Sequence, residues 1–292
     1  MSHSRIAAVT GANKGIGLAI VRNLALQYPK SPFNNGPFLI YLTARDRGRG
    51  EEALHNLQTD SELKRARALA QDGGLTTVKY RQLDIADQSS IKSFADFLKA
   101  EHPEGVDILI NNAGTAMQGF DSNVVDTTLA CNYYGTLQAT TSILPHIRAG
   151  GRLVNVSSMT GKLNKFSDVI TDRFRSARTI SDMNSLMQDF STAAREDRVK
   201  EAGWPSAAYA TSKAGVTGLT KVVAQAAARG ELGAKEGVLI NSCCPGYVNT
   251  DMTKGRGAKT PDQGAQMPVM LALKDLGGIS GEFWEHQEVS KW

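Results

Sequence analysis

The chain has 292 residues, of which 41% are hydrophobic and 21% charged, and a formal net charge of +4. That balance describes a globular chain able to bury a sizeable core in one large α/β domain or two small ones. The longest apolar runs are of strand length, the basic stretches Arg45–Arg49 and Lys64–Arg67 have acids nearby, and no aromatic residues interleave with the second. Neither a membrane anchor nor a nucleic-acid surface is therefore expected.

In chain order, Ile6–Thr10 reads as a short buried strand and Gly15–Gln27 as a helix with Ile16, Ala19, Ile20 and Leu24 on one side. Pro29–Pro37 is a loop rich in helix-stopping residues, followed by a second strand, Phe38–Thr43. Glu51–Ala70 reads as a polar helix, Thr77–Leu83 as a third strand and Ser89–Ala100 as a helix facing inward through Ile91, Phe94, Ala95 and Leu98. Asp107–Asn111 is a fourth strand. Val124–Arg148 is expected to form one long helix, disturbed at Pro145. Arg152–Val156 is the fifth strand, Ala207–Ala228 a helix, Val238–Cys243 the sixth strand and Gly281–Trp284 a last short one.

Strands alternating with helices predict a doubly wound parallel sheet covered on both faces, with ligand bound beyond the C-terminal strand ends. One segment breaks the rhythm. Met159–Trp204 contains no strand, and within it Asp168–Ala177 and Ser181–Lys200 look helical and charged. It reads as an insertion within a single domain spanning 1–292.

Gly11, Gly15 and Gly17 follow the first strand and open the first helix. Such a turn uses glycine for positive φ and for close backbone approach to a pyrophosphate. At the end of the second strand, Ala44 stands where an acid would hold a ribose 2′-hydroxyl, and Arg45 follows it. Arg45, with Lys14, suits a 2′-phosphate; the alternative is a solvated loop charge. Asp84 could accept from an adenine amino group or cap the next helix, with Asp87 competing for the cap. Asn111-Asn112-Ala113-Gly114 offers small residues beside a cofactor backbone and an amide able to bridge strands. Pro245-Gly246 ends the sixth strand, and Thr250 could hold a carboxamide. Tyr209 and Lys213 lie four residues apart, one turn along a helix.

The ordered set Thr10-Gly11-Ala12-Asn13-Lys14-Gly15-Ile16-Gly17, Asn111–Gly114, Asn132, Ser157-Ser158 and Tyr209-x-x-x-Lys213 resembles the short-chain dehydrogenase/reductases over nearly the whole chain. A closer likeness, to the monomeric carbonyl reductases, rests on Asn13–Arg22, Leu42–Asp46, Gly203–Tyr209, Cys243–Met252 and the long insertion before Tyr209. Two features depart from that group: the Pro-rich segment 29–37, and Tyr247, where those enzymes tend to carry Trp.

The resemblance implies NADPH-dependent reduction of an aldehyde, ketone or quinone by a monomer. Its expected cofactor contacts are Gly11, Asn13, Lys14, Gly15, Ile16, Gly17, Arg45, Asp84, Ile85, Asn112, Ala113, Gly114, Tyr209, Lys213, Pro245, Gly246, Val248 and Thr250. It implies Tyr209 as proton donor with its pKa lowered by Lys213, Ser158 as donor to the substrate oxygen with Ser157 structural, and Asn132 ordering a water. Met159, Trp204 and Tyr247 are expected to border the substrate along with Ser158 and Tyr209. A same-fold dehydrogenase or dedicated ketoreductase, and a non-catalytic NADPH sensor, remain the alternatives.

Cys131, Cys243 and Cys244 are an odd number with two adjacent, so no disulfide framework is expected; Cys243 and Cys244 read as buried packing residues or, less simply, as reactive thiols. The five histidines show no metal-ligand spacing. The Met1–Arg5 start lacks a signal-peptide pattern and the Ser290-Lys291-Trp292 end is not a peroxisomal address, so a cytoplasmic protein is expected.

Overall fold

The computed structural model describes residues 3–292. Five strands form its inner frame: β1 (Arg5–Val9), β2 (Phe38–Ala44), β3 (Thr76–Gln82), β4 (Val106–Asn111) and β5 (Ile147–Val156). β6 (Leu239–Cys243), β7 (Phe283–Glu285) and β8 (Glu288–Val289) extend it to an eight-stranded sheet ordered β3-β2-β1-β4-β5-β6-β7-β8. Every pairing is parallel except β7 with β8. The order reverses between β1 and β4, the point at which sheets of this kind bind ligand beyond the C-terminal strand ends. Strands such as β2 and β4 are buried along their full length because helices cover both faces.

One face carries α1 (Gly15–Gln27), α2 (Arg47–Thr59), the short α3 (Ser61–Arg65) and α10 (Pro261–Leu273). The other carries α4 (Gln88–Glu101), α5 (Ser122–Leu129), α6 (Thr136–Ile143) and α9 (Ala208–Ala228), with α7 (Asp168–Ser176) and α8 (Ile180–Arg195) outside them. The insertion is well packed: Phe166, Ile170, Phe174, Met183, Leu186, Met187 and Phe190 are buried, while Val169 stays exposed. α8 lies against α5 and α9.

Several expected elements differ. The helix expected over 51–70 begins earlier, where the Asp46 carboxylate caps it by accepting from the Arg49 N–H, and breaks at Asp60. There Asp60 caps α3, and at Arg67 the backbone turns left-handed with φ 48°. The long helix expected over 124–148 is interrupted by a π turn at Ala130–Gly135 and stops at Ile143. Pro145 sits in a single 3₁₀ turn, and β5 starts directly afterwards at Ile147. α10 was not expected, although Thr260-Pro261-Asp262-Gln263 is a capping box with Pro at the first helical position. α10 packs on α1, and Arg22 ties the two to α3 through Asp60 (3.0 Å), Asp262 (3.0 Å) and Glu62.

At the opposite end of the sheet, the fully buried Asp107 accepts from the Ile6 N–H (2.7 Å) and pairs with Arg5 (2.8 Å) and Arg148 (3.1 Å). A buried carboxylate is tolerated because each oxygen meets a charged or backbone donor. This fixes β1 against β4, and thereby the glycine turn at its far end.

Candidate active site

The glycine turn is a cradle that side chains would fill. Gly11 has φ 61°, and a Cβ there would lie 2.8 Å from the Ala113 Cα. A Cβ on Gly17 would lie 2.3 Å from the Gly11 carbonyl oxygen and 2.5 Å from the Asn112 amide. Asn112 donates to the carbonyls of Thr10 (3.0 Å) and Gly11 (3.1 Å), joining the ends of β1 and β4. Asn111 donates to Asn155 (2.9 Å), joining β4 to β5. Bridging by asparagine, expected from the sequence, is thus present twice. The segment after β6 closes the far side, with the Thr250 methyl 3.3 Å from where a Gly15 Cβ would stand.

Of the groups expected to select a 2′-phosphate, Arg45 is exposed and Lys14 pairs with Asp251 at 2.5 Å. Asp46, capping α2, is turned to the helix and not to this corner. Asp84 does not cap α4; Asp87 does, while Asp84 closes a local turn with the Ala86 N–H (2.9 Å). Ile85 and Val248 are buried next to the crevice loops, and Asn13, Ile16, Ala113 and Gly114 are partly exposed.

The catalytic candidates converge from three elements: the π turn, the turn after β5 and α9. Lys213, one turn along α9 from Tyr209, donates to the Val156 carbonyl at 2.7 Å, and its Nζ stands 5.7 Å from the Tyr209 ring centre. Gly114 lies beneath them: a Cβ there would be 3.1 Å from Asn132 Oδ1 and 3.6 Å from Lys213 Nζ. The two serines differ in their partners. Ser157 is buried, its hydroxyl on the Lys213 carbonyl (3.0 Å) and Thr217 (2.7 Å). The Ser158 hydroxyl acts on the Tyr209 phenol and caps the 3₁₀ turn Met159–Gly161, accepting from the Thr160 N–H at 3.2 Å. Asn132 sits in the π turn, fully buried. Its amide accepts from the Thr115 N–H (2.7 Å) and donates to the Thr115 carbonyl (2.9 Å) and Ser212 (3.0 Å). The side chain therefore clasps the β4 loop to α9.

Electrostatics correct one expectation. Burial pushes the Tyr209 phenol up to about 12, the Cys244 thiol adds to the rise, and the Ser158 hydroxyl offsets part of it. The phenol was expected to shift down. Burial also lowers Lys213 from 10.5 to about 8, so its charge, which was to stabilise a phenolate, is itself disfavoured by desolvation. Burial likewise pushes the thiols of Cys243 and Cys244 up, which supports the packing reading of both. The Cys244 sulfur accepts from the Gly246 N–H at 3.3 Å.

Among residues expected at the substrate, Met159 and Tyr247 are exposed at 48% and 53%. Trp204 is not placed there. Its ring is buried against Phe166, Phe174 and Phe190, with ring centres 5.3–6.1 Å away, so it belongs to the core of the insertion. The sequence reading missed Met117 and Met252. Both are exposed and, like Met159 and Tyr247, lie in loops after the C-terminal ends of β4, β5 or β6. An exposed apolar side chain in every such loop was the available signal. A separate cavity of about 1080 Å³ lies between the outer side of α9 and the C-terminal segment, and it contains none of Asn132, Ser158, Tyr209 or Lys213.

The short chain dehydrogenase family model matches residues 41–169 and 198–261. The chain is 37% identical to carbonyl reductase (NADPH) 1 of Bos taurus over 300 residues, covering 100% of this chain and 99% of the relative. It is 38% identical to carbonyl reductase (NADPH) 3 of Rattus norvegicus, again over 100% and 99% of the two chains. The solved salutaridine reductase of Papaver somniferum superposes with a TM-score of 0.80 at 28% identity, covering 96% of this chain and 99% of that one.

The lysine supplies a test of the site's cost. Lys213→Met removes a buried amine whose charge the fold disfavours, at the loss of one hydrogen bond to Val156. We expect the variant to be inactive yet more stable at pH 7, by roughly 1–2 kcal/mol. The sign follows from a folded value of about 8 below the ordinary 10.5. Unfolding lets wild-type Lys213 regain a stable charge, so the variant's advantage is full below about pH 8 and vanishes towards 10.5. Denaturant titrations at pH 7 and pH 10 check it; a variant less stable at pH 7, or an advantage growing with pH, contradicts it.

Proposed function

Because this chain belongs to the short-chain dehydrogenase family, we propose that its crevice binds NADPH and reduces a carbonyl to an alcohol, or a quinone to a hydroquinone. The observation that carries this reading is the convergence of Ser158, Tyr209 and Lys213 beside a glycine cradle that admits only backbone. Full-length similarity to proteins named carbonyl reductase (NADPH) supports it. The cradle residues Gly11, Gly15, Gly17, Asn112 and Ala113 would hold the cofactor's diphosphate, and Arg45 its 2′-phosphate. When bound, NADPH supplies the hydride.

The chain's own groups manage the oxygen. Ser158 donates a hydrogen bond to the carbonyl oxygen and fixes its place. Tyr209 gives that oxygen its proton. A phenol raised to about 12 holds its proton throughout the neutral range, so the acid is always loaded. Lys213, charged below about 8, offsets the negative charge that develops on the phenol oxygen as the proton leaves. Asn132 keeps Thr115 and α9 together beneath the site. The exposed Met117, Met159, Tyr247 and Met252 give the mouth an apolar and aromatic surface, suited to ketones and quinones with apolar bodies.

The protein is proposed to work as a monomer, in the reducing environment of the cytoplasm. In many short-chain reductases the helices corresponding to α5, α6 and α9 pair across a dimer interface. Here α8 lies against α5 and α9 and buries Met183, Leu186, Met187 and Phe190 against them.

Four outcomes are expected. Tyr209→Phe lowers kcat about 100-fold or more with NADPH affinity unchanged; retention of over a tenth of activity in stopped-flow or steady-state assays removes Tyr209 as the acid. Arg45→Ala lowers kcat/KM for NADPH by about 10–100-fold and leaves that for NADH unaltered, a charge-assisted phosphate contact contributing about 1.5–3 kcal/mol. Lys14→Ala has a smaller effect, since Asp251 already competes for its amine. Sedimentation velocity at micromolar concentration gives a single monomeric species; a stable dimer or tetramer rejects the covering role of α8.

A further inference from the structure

The 3₁₀ turn that carries Ser158 is anchored unevenly. On its upstream side Ser157 is locked to α9 through the Lys213 carbonyl and Thr217. On its downstream side the chain passes through the exposed Met159 to Gly161 and Lys162, and here the partners come from the segment Glu285–Trp292. The Trp292 indole N–H donates to the Gly161 carbonyl at 3.0 Å, across 131 positions of sequence. The Lys162 amine pairs with Glu285 of β7 at 2.6 Å and reaches Ser290 at 3.3 Å. Glu285 is buried, and Ser290 donates to the same carboxylate oxygen at 3.3 Å. Gly161, the last residue of the turn, and Lys162, which follows it, are thus both tied to one C-terminal strap, Glu285–Trp292.

The strap has its own footing. The Trp292 ring packs edge-on against Phe174 of α7, with centres 5.6 Å apart, and lies over Gly218 of α9, where a Cβ would come within 2.9 Å of it. Gly161 is equally confined: a Cβ there would lie 2.5 Å from the Ala214 nitrogen and 2.6 Å from the Lys213 carbonyl carbon. The turn is therefore clamped between the strap and the helix turn that bears Lys213. Because Ser158 Oγ accepts from Thr160 within that turn, the turn's conformation sets where the hydroxyl points.

We infer that the C-terminal strap, acting through Trp292 on Gly161 and through Glu285 on Lys162, is a positioning element that aims the Ser158 hydroxyl at the substrate oxygen. This rests on the reading of Ser158 as a donor to that oxygen. Trp292 and Lys162 touch neither substrate nor cofactor in this account. Their effect passes through the backbone of Gly161 and Lys162, and small misplacements of a reacting group are costly in rate.

Trp292→Phe keeps the ring against Phe174 and removes the N–H; Lys162→Met keeps the stem and removes the charge. In the full-length protein each variant is expected to speed amide exchange in the peptide spanning Ser158–Lys162, read by mass spectrometry, with β1–β4 unchanged. kcat for a quinone or aromatic ketone is expected to fall about fivefold to twentyfold, with the KM for NADPH and the melting temperature held. Lys162→Arg, which preserves the pair, is expected to restore most of the rate. Unchanged exchange at Ser158–Lys162, or losses of rate that track a lower melting temperature and faster exchange everywhere, would overturn the inference. If the wild-type protein reduced no carbonyl with NADPH, the proposed function would fall, and the exchange measurement would still decide whether the strap holds the turn.

Discussion

The amine of Lys213 reaches the Val156 carbonyl at 2.7 Å, and that contact dictates how closely α9 must approach the sheet. A lysine so deeply buried needs an oxygen partner, and the nearest backbone oxygen belongs to the end of β5. α9 can come near enough because its sequence is small where it meets its neighbours. A Cβ on Gly215 would collide with Met187 and Tyr133, and one on Gly218 with Met183 and Trp292. Gly161 approaches from the sheet side with no room to spare. The same close packing that buries the amine thus brings the serine turn, the insertion and the chain's end onto one helix.

Burial of this kind acts on the two titrating groups in opposite directions. It disfavours the anion of Tyr209, raising the phenol to about 12, and the cation of Lys213, lowering the amine to about 8. Above about 8 the amine loses its charge while the phenol remains protonated. A protonated acid beside a charged lysine therefore coexists in the window below about 8, and proton donation to a carbonyl oxygen belongs to that window. The reverse reaction would need a phenolate, and the protein alone opposes one.

Much of this was legible in the sequence, for a physical reason. The parallel strands are continuous apolar runs bounded by turn residues, and the catalytic groups lie at strand ends or one helical turn apart. Gly11 and Gly17 could be placed because the turn requires glycine there, whereas Asn112, Ser157, Ser158, Tyr209 and Lys213 could be placed through the ordered motif set that resembles the short-chain dehydrogenase/reductases. What escaped depended on side-chain partners distant in sequence. The direction of the Tyr209 shift is decided by desolvation in the folded chain, which no spacing reveals. Asn132 looks like an open amide until Thr115 and Ser212 are found on either side. The break at Asp60 and the π turn at Ala130–Gly135 arise where capping and packing override helical propensity. The capping box that opens α10 was, by contrast, local and readable.

Trp204 shows how a residue near the chemistry can serve it from the core. Five positions before Tyr209, an aromatic side chain invites assignment to a substrate wall. Its ring instead joins Phe166, Phe174 and Phe190, while Gly203 accepts from the Ser167 N–H at 3.1 Å, closing the insertion on itself just before α9 begins. Phe174 also meets Trp292, so the entry to α9 and the strap behind the serine turn share one aromatic cluster. Stacked and edge-on rings of this size bury large apolar areas in defined geometry. They fix angles between elements as well as holding them together. The insertion therefore does more than cover α5 and α9. It sets the start of the helix that carries Tyr209 and, through Phe174, supports the tryptophan bonded to Gly161, so both hydroxyls of the proposed site are oriented from the same cluster.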